Sequence, residues 1–307
     1  MKMTEKYNQT LRFHIFKDYD DEEDIFYKRL ILSLVTGDIA PVEAAIDYDA
    51  WIENNAHQQH EERMKSSDPW EFRGAMPNPT GLVTEFFRSL ARVFAAFPPY
   101  SDGQNRIMEF LEALEGLPKK NLPVYVPHDY PDEPYVMITF WVLGEGMALT
   151  EDIRRDAEDH YYDYSDVETP GSDTQIGWRN WQSAISRLTV SGLIDCGFLC
   201  ALGNILPSYA YYPDLNFRKM GGPKRIAGDL MAAAEWILKP DAGRYVYKQC
   251  LKREKTINLP REIWSMENWN EWKVQVDWIA RDERFSAEAR DIARQMTQAM
   301  ANIENAA

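Results

Sequence analysis

Residues 188–206 read LTVSGLIDCGFLCALGNIL and form the least polar long segment of the chain, with Asp195 near its middle. Such a run predicts a helix that is apolar all round and therefore buried. The residues before it carry apolar side chains at helical spacing, namely Trp178, Trp181, Ile185 and Leu188. We therefore expect one buried central helix over about 173–206.

The same segment is about long enough to cross a bilayer, so a membrane span is the first alternative. A carboxylate at the bilayer centre costs about 3 kcal/mol on insertion scales, and Asp195 would lie there. The flanks also lack the basic cluster that orients membrane helices. We expect no membrane span.

The composition is that of a folded chain, because the 307 residues include ten Trp and are 45% hydrophobic. The net charge of −15 repels phosphate backbones, so we expect no nucleic-acid partner. The first residues contain no apolar run of the kind found in secretory leaders. Three cysteines do not make a disulfide framework, and these features together predict a cytoplasmic protein.

Helical periodicity continues on both sides of the central segment. Residues 81–97 carry a complete apolar stripe, and the C-terminal residues predict a helical hairpin. Residues 136–142 suit either a strand or a buried helix. We favour the helix, because residues 118–135 contain five prolines and are predicted to form a loop rather than a partner strand.

The predicted fold class is therefore all-α. We expect a single irregular multi-helix domain of about ten helices over residues 21–307, packed around the central helix. Residues 1–20 are predicted to be an irregular lead-in.

Two stretches carry a family resemblance. They are DIAPVEAAIDYDAWI at 38–52 and NWNEWKVQVDWIARDERFSAEARDIARQMTQAMANIE at 268–304. Together with the apolar central segment they resemble a large group of fungal proteins that share a domain of unknown function, over roughly residues 20–304. The resemblance implies a helical fold and an intracellular setting, with some members encoded beside enzymes of natural-product biosynthesis. It implies no catalytic residue.

Three local motifs were considered as sites. His57 and His60 lie three residues apart, but neither helical zinc signature is present. Cys196 and Cys200 have the wrong spacing for a redox pair, and an apolar setting raises the pKa of a thiol. The sequence GGPKR at 221–225 suits either an anion site at a helix N-terminus or a simple turn, and we favour the turn. We predict no metal and no cofactor.

Asp195 has two interpretations, because a carboxylate on a buried helix must be paired, hydrogen-bonded or neutral. It is either a structural polar link that fixes helix register or a catalytic acid with a raised pKa. Arg187 lies two turns earlier and reaches the same side, so we take Asp195 and Arg187 as the catalytic candidates.

Aromatic residues at both ends of the central helix are the candidates for substrate binding: Trp178, Trp181, Tyr209 and Tyr211. Plain core packing is the alternative. The acidic, Tyr-rich residues 156–172 are either a solvated loop or a lid that brings Tyr161 over the pocket.

Three classes of function remain. The favoured one is a cofactor-independent enzyme of fungal secondary metabolism that acts on a hydrophobic small molecule, as a cyclase or a pericyclase of the Diels–Alder type. Such an enzyme holds its substrate in a reactive fold and polarises it with hydrogen-bond donors. The alternatives are a helical protein-interaction module and a small-molecule carrier. A homo-oligomer is left open.

Overall fold

A computed structural model describes residues 7–65, 76–125, 135–143, 167–252 and 263–306. Within these ranges the chain is predominantly α-helical, which confirms the predicted fold class. The α-helices are α1 (Glu22–Thr36), α2 (Pro41–Met64), α3 (Pro79–Ala96), α4 (Asp102–Glu115), α5 (Asp173–Ser191), α6 (Gly221–Ala233), α7 (Pro240–Lys252), α8 (Met266–Arg281) and α9 (Ala287–Ala306). Two strands, β1 (Lys120–Tyr125) and β2 (Tyr135–Phe140), form an antiparallel pair.

The chain divides into two compact units that interleave along the sequence. One comprises residues 1–13, 91–99 and 154–307, and the other comprises 14–90 and 100–153. The predicted single domain over 21–307 stays a prediction, because a division by contact density does not test independent folding.

In the unit built from 14–90 and 100–153, α2 packs against α1, α4 and β1. Its core is aromatic. The rings of Tyr48 and Phe86 stack with centroids 4.1 Å apart, and the ring of Phe110 lies 5.6 Å from that of Phe86. All three side chains are fully buried, which explains why α2 runs unbroken through Tyr48.

The hairpin of β1 and β2 corrects two predictions. Residues 120–125 are a strand and not part of a loop, and residues 135–140 are a strand and not a buried helix. Leu122 pairs with Ile138, and Pro123 pairs with Met137. Proline removes a ladder donor and is tolerated in a two-stranded pair, where one side of each strand needs no ladder bonds. The prolines of the segment had concealed this strand.

In the other unit, α5 packs against α6 and α7, while α9 packs against α6, α7 and α8. The pair α8–α9 confirms the predicted C-terminal hairpin. Two ion pairs are buried in this unit. Arg179 Nε lies 2.8 Å from Glu235 Oε1, and Arg225 Nε lies 3.0 Å from Asp229 Oδ2. Each charge is therefore compensated inside the core.

The central helix is buried as predicted but shorter. Helix α5 ends at Ser191, because Gly192 adopts a left-handed conformation with φ of 82° and closes the last turn. The rest of the predicted segment forms two short 3-10 turns, Gly197–Leu199 and Ala201–Ile205. Their backbone is tied to α5 by Gln182, which accepts from Ala201 N at 3.0 Å and donates to Leu199 O at 2.9 Å. The prediction of a helix to residue 206 was wrong.

Among the described residues, no helix combines the length and the apolar character that a membrane crossing needs.

Candidate functional site

A cleft with a volume of about 520 Å³ lies in the unit that contains α5–α9. It is bounded by α6, by the turn between α8 and α9, and by Tyr7 from the start of the chain. Its walls are formed by Tyr7, Pro170, Gln175, Lys219, Met220, Pro223, Lys224, Ala227, Met231, Glu283, Arg284, Phe285, Ser286, Glu288 and Ala289.

One face of α6 forms a wall of the cleft. Lys224, Ala227 and Met231 follow one another at helical spacing, so their side chains share that face. The helix comes very close to the loop before α5 at Gly228. A Cβ at this position would lie 2.4 Å from Val167 O, so only glycine permits the approach.

The cleft has an apolar floor and a charged rim. Met231, Phe285 and Ala289 are buried and present carbon and sulfur atoms. The exposed rim carries three basic side chains, Lys219, Lys224 and Arg284, and two acidic ones, Glu283 and Glu288. Such a cavity suits a ligand with an apolar body and a polar or acidic end.

Tyr7 brings a phenol side chain to the wall of the cleft. Its side chain is only 4% exposed, and its hydroxyl donates a hydrogen bond to the carboxylate of Glu288. Burial raises the pKa of Tyr7, and the neighbouring charge of Glu288 raises it further. The hydroxyl therefore stays protonated at neutral pH and acts as a donor.

The backbone of Tyr7 is fixed by the buried ion pair of α5. Arg179 Nη1 donates to Tyr7 O at 3.1 Å, while Arg179 Nε binds Glu235. A charge-assisted bond inside the core is strong and directional. The backbone of Tyr7 is thus anchored to a helix distant in sequence.

Gln175 holds the opposite wall. Its side chain is buried, accepts from Gly171 N at 2.7 Å and donates to Val167 O at 3.0 Å. Ser172 caps α5 by accepting from Gln175 N at 3.1 Å. These bonds hold the 167–172 loop against the start of α5. The role of Gln175 in the cleft wall is therefore structural.

Hydrogen bonds between neighbouring residues hold the turn between α8 and α9 in place. Arg284 Nη2 donates to Asp282 Oδ2 at 2.6 Å, and Arg284 N donates to Asp282 Oδ1 at 2.9 Å. The bonds from Arg284 lower the pKa of Asp282. Ser286 then caps α9 by accepting from Ala289 N at 3.1 Å, which places Glu288 in the first turn, where the helix dipole favours a negative charge.

Asp195 does not occupy the position predicted for it. It lies outside α5 in the loop before the first 3-10 turn, and it is exposed rather than buried. Its Oδ1 accepts from Gly197 N at 2.9 Å, which is a local turn-forming bond. The side chain of Ser191, one turn earlier, donates to Leu188 O. The premise of a buried acid was wrong.

The other residues of the predicted site are dispersed. Arg187 is half-buried on α5. Trp178 and Trp181 are buried and stack on each other with centroids 5.3 Å apart. Both side chains pack in the core, as the alternative interpretation held. Neither they nor Arg187 and Asp195 are among the described residues that line the cleft.

The predicted tyrosines also lie away from the cleft walls. Tyr209 and Tyr211 contact each other edge to face at 5.6 Å in a surface loop, and Tyr211 is 63% exposed. Tyr161 falls outside the described residues, as does most of the predicted lid at 156–172. The proposed roles of Tyr161 as a substrate contact and of residues 156–172 as a lid stay predictions.

The motifs considered for metals and redox chemistry lie within the described residues. Within the described ranges, no group of three or more His, Cys, Asp or Glu side chains is arranged around a common point. The three cysteines are buried free thiols, and burial raises the pKa of all three, that of Cys250 to about 12.

Comparison with known proteins adds no assignment. The chain matches no family model, no curated protein and no solved structure. The resemblance to a fungal group of unknown function therefore stays a prediction.

Sequence reasoning missed most of the cleft. Tyr7 lies in the predicted lead-in, and Glu288 lies in a helix predicted only to pack. One signal was present: GGPKR places Lys224 at the start of α6, and Lys224 lines the cleft. The anion-site interpretation of this motif stays a prediction.

Proposed function

We propose that this protein is a cofactor-independent enzyme that binds an amphipathic small molecule in the cleft between α6 and the α8–α9 turn. The observation that carries the proposal is a cleft of about 520 Å³ whose lining combines the buried apolar side chains of Met231, Phe285 and Ala289 with the phenol of Tyr7. The volume is within the range of cavities that hold drug-sized ligands.

The chemistry follows from the paired Tyr7 and Glu288. The single O–H of Tyr7, which is donated to Glu288 in this structure, would turn to the carbonyl oxygen of a bound ligand and leave the exposed Glu288 carboxylate to water. A donor positioned in advance stabilises charge that develops on such an oxygen during reaction. Met231, Ala227 and Ala289 would hold the apolar body in a folded conformation.

The reaction class that fits is a cyclisation, which is an isomerisation. Its new bonds form within the ligand, so atoms and electrons balance without an oxidant, a reductant or a leaving group. This retains the cyclase prediction made from the sequence and moves the proposed donor from Asp195 to Tyr7.

A carrier is the second candidate. The feature that favours it is the exposure of Glu288 and of the three basic side chains, because a site open to water shields reactive intermediates poorly. A carrier and an enzyme share the same cleft and differ only in turnover. The interaction module remains an untested alternative.

The test uses anilinonaphthalene sulfonate, a fluorescent probe with an apolar body and an acidic end. Ala227→Trp fills the cleft from α6, and Ala210→Trp places the same side chain in an exposed loop as the control. We expect Ala227→Trp to weaken probe binding about tenfold or more and Ala210→Trp to leave it unchanged. Equal binding by both variants, with circular dichroism showing both folded, overturns the site.

A further inference from the structure

The charged rim of the cleft is divided between its two sides. The basic side chains Lys219 and Lys224 belong to the approach to α6 and to its first turn. The acidic side chains Glu283 and Glu288 belong to the α8–α9 turn and to the first turn of α9. All four side chains are exposed. The cleft therefore presents positive charge from one side and negative charge from the other.

Ion pairs do not neutralise these four charges. Within the described ranges, no ion pair joins them to one another or to any other side chain. The third basic side chain of the rim, Arg284, is different, because it pairs with Asp282 at 2.6 Å. Four charges, two of each sign, thus remain for a ligand to contact.

The other charged residues of the 214–225 stretch make their contacts outside the cleft. Asp214 is exposed and accepts a backbone hydrogen bond within its own turn. Arg218 pairs with Glu168. Arg225 is buried and pairs with Asp229. Since none of them lines the cleft, the charges that a ligand contacts there are those of the cleft walls.

Glu288 changes its partner when a ligand takes the Tyr7 hydroxyl. That hydroxyl has one proton, and it donates this proton to Glu288 in this structure. A ligand carbonyl that accepts the bond leaves the Glu288 carboxylate without a donor from the protein. An ammonium group on the ligand supplies a donor in its place, in a charge-assisted hydrogen bond.

We propose that the ligand of the cleft has a zwitterionic end, with an ammonium group that contacts Glu283 and Glu288 and a carboxylate that contacts Lys219 and Lys224. The inference rests on the proposed function, because it takes the cleft as the ligand site. The apolar body lies on the cleft floor. The class of substrate is therefore a derivative of an amino acid with a large apolar side chain.

The mixed signs of the rim select this class over a singly charged amphiphile. An anionic end is attracted by the lysines and repelled by the glutamates, and a cationic end meets the reverse. A zwitterion satisfies both sides at once, so that both sets of charges favour it over its competitors.

The test is isothermal titration calorimetry of the full chain at neutral pH with three matched amphiphiles below their micelle concentrations. These are α-aminodecanoic acid, decanoic acid and decylamine, which share an alkyl chain and differ in the charge of the polar end. We expect the zwitterion to bind about fivefold more tightly than either of the others, because exposed charge pairs contribute modestly. Equal affinities, or a preference for a singly charged amphiphile, overturn the proposal.

Variants of each side identify the charges responsible. The double substitution Lys219→Gln and Lys224→Gln should remove the preference over decylamine, and Glu283→Gln should reduce the preference over decanoic acid. The matched controls, Lys248→Gln and Glu271→Gln, remove the same charges from exposed positions on α7 and α8 outside the cleft and should retain both preferences. Preferences that are unchanged in the cleft variants also overturn the proposal.

The two proposals fail separately. If Ala227→Trp blocks anilinonaphthalene sulfonate but the three amphiphiles bind equally to the unaltered chain, the zwitterionic ligand is wrong and the cleft stands. If Ala227→Trp leaves binding of the probe unchanged, the cleft is wrong and the inference about its ligand falls with it.

Discussion

The hydroxyl of Tyr7 donates a hydrogen bond to the carboxylate of Glu288, so the two ends of the chain meet in one cleft. The first turn of α9 presents the acceptor, and Arg179 fixes the backbone of the donor. The pair places the protonated phenol of Tyr7 next to the carboxylate of Glu288.

Because Tyr7 and Glu288 share a hydrogen bond, we expect the effects of substituting them on the free energy of unfolding to be coupled. Tyr7→Phe and Glu288→Gln should each lower the free energy of unfolding by about 1 kcal/mol, because each weakens or removes one hydrogen bond. Since both act on the same bond, the double variant should lose less than the sum. Urea denaturation of the four proteins measures the coupling. Strict additivity would show that the two side chains do not interact.

The buried Tyr48 and the half-buried Tyr212 predict opposite effects of the same substitution. The hydroxyl of Tyr48 is buried with no hydrogen-bond partner among the described residues, whereas Tyr212 Oη accepts from Gln275 Nε2 at 3.0 Å. Removing an unsatisfied hydroxyl should stabilise, so Tyr48→Phe should raise the free energy of unfolding by about 1 kcal/mol. Tyr212→Phe should lower it by about the same amount. Chemical denaturation measures both, and two changes of the same sign would contradict this.

The buried thiols predict a loss of stability in alkali. Burial raises the pKa of Cys196, Cys200 and Cys250 in the folded protein, so the unfolded chain loses these protons first as the pH rises. The contribution of each thiol to the free energy of unfolding is fully present below its pKa in the unfolded chain, which is about 8.5. Above that pH the contribution falls by up to about 1.4 kcal/mol for each thiol and each pH unit.

Urea denaturation under reducing conditions, at neutral pH and near pH 10, measures this slope. Cys250→Ala should make it shallower, because one raised thiol is gone. A slope that is unchanged in this variant would show that the thiol of Cys250 does not contribute.

Asp195 is expected to matter for a turn and not for the cleft. In Asp195→Asn the amide oxygen still accepts from Gly197 N, so stability should change by less than about 1 kcal/mol and probe binding should not change. Gly197→Ala is the contrasting variant, because its Cβ would lie 2.9 Å from the Trp264 ring, and it should cost about 1–3 kcal/mol. Denaturation and probe titration test both. Loss of probe binding in Asp195→Asn alone would restore its proposed role at the ligand.

The helices were predictable because their signals are local. Asp21 before α1 accepts from Asp24 N at 2.9 Å, and Gly37 ends the helix with φ of 87°, as the caps in the sequence indicate. Periodic apolar positions also predicted the burial of Trp269 and Trp272 in the hairpin.

The end of the central helix was not predictable from hydrophobicity. Residues 193–206 are as apolar as a helix core, but Gly192 closes α5, and Gln182 satisfies the backbone that follows. An apolar run indicates burial and does not distinguish a helix from a packed 3-10 turn. The burial of Asp195 was inferred from the helix and failed with it.

The cleft was not predictable because its parts are distant in sequence. Tyr7, Lys224 and Glu288 are separated by most of the chain and meet only through the packing of α5, α6 and α9. Neither periodicity nor a short motif encodes such a meeting.

The most direct test of the central claim is native mass spectrometry of the protein purified from its own host, as the unaltered chain and as Ala227→Trp. The account predicts an added mass of one small molecule on the unaltered chain and none on the variant, with Ala210→Trp retaining it. The same added mass on Ala227→Trp, or no added mass on the unaltered chain, would contradict a ligand site between α6 and the α8–α9 turn.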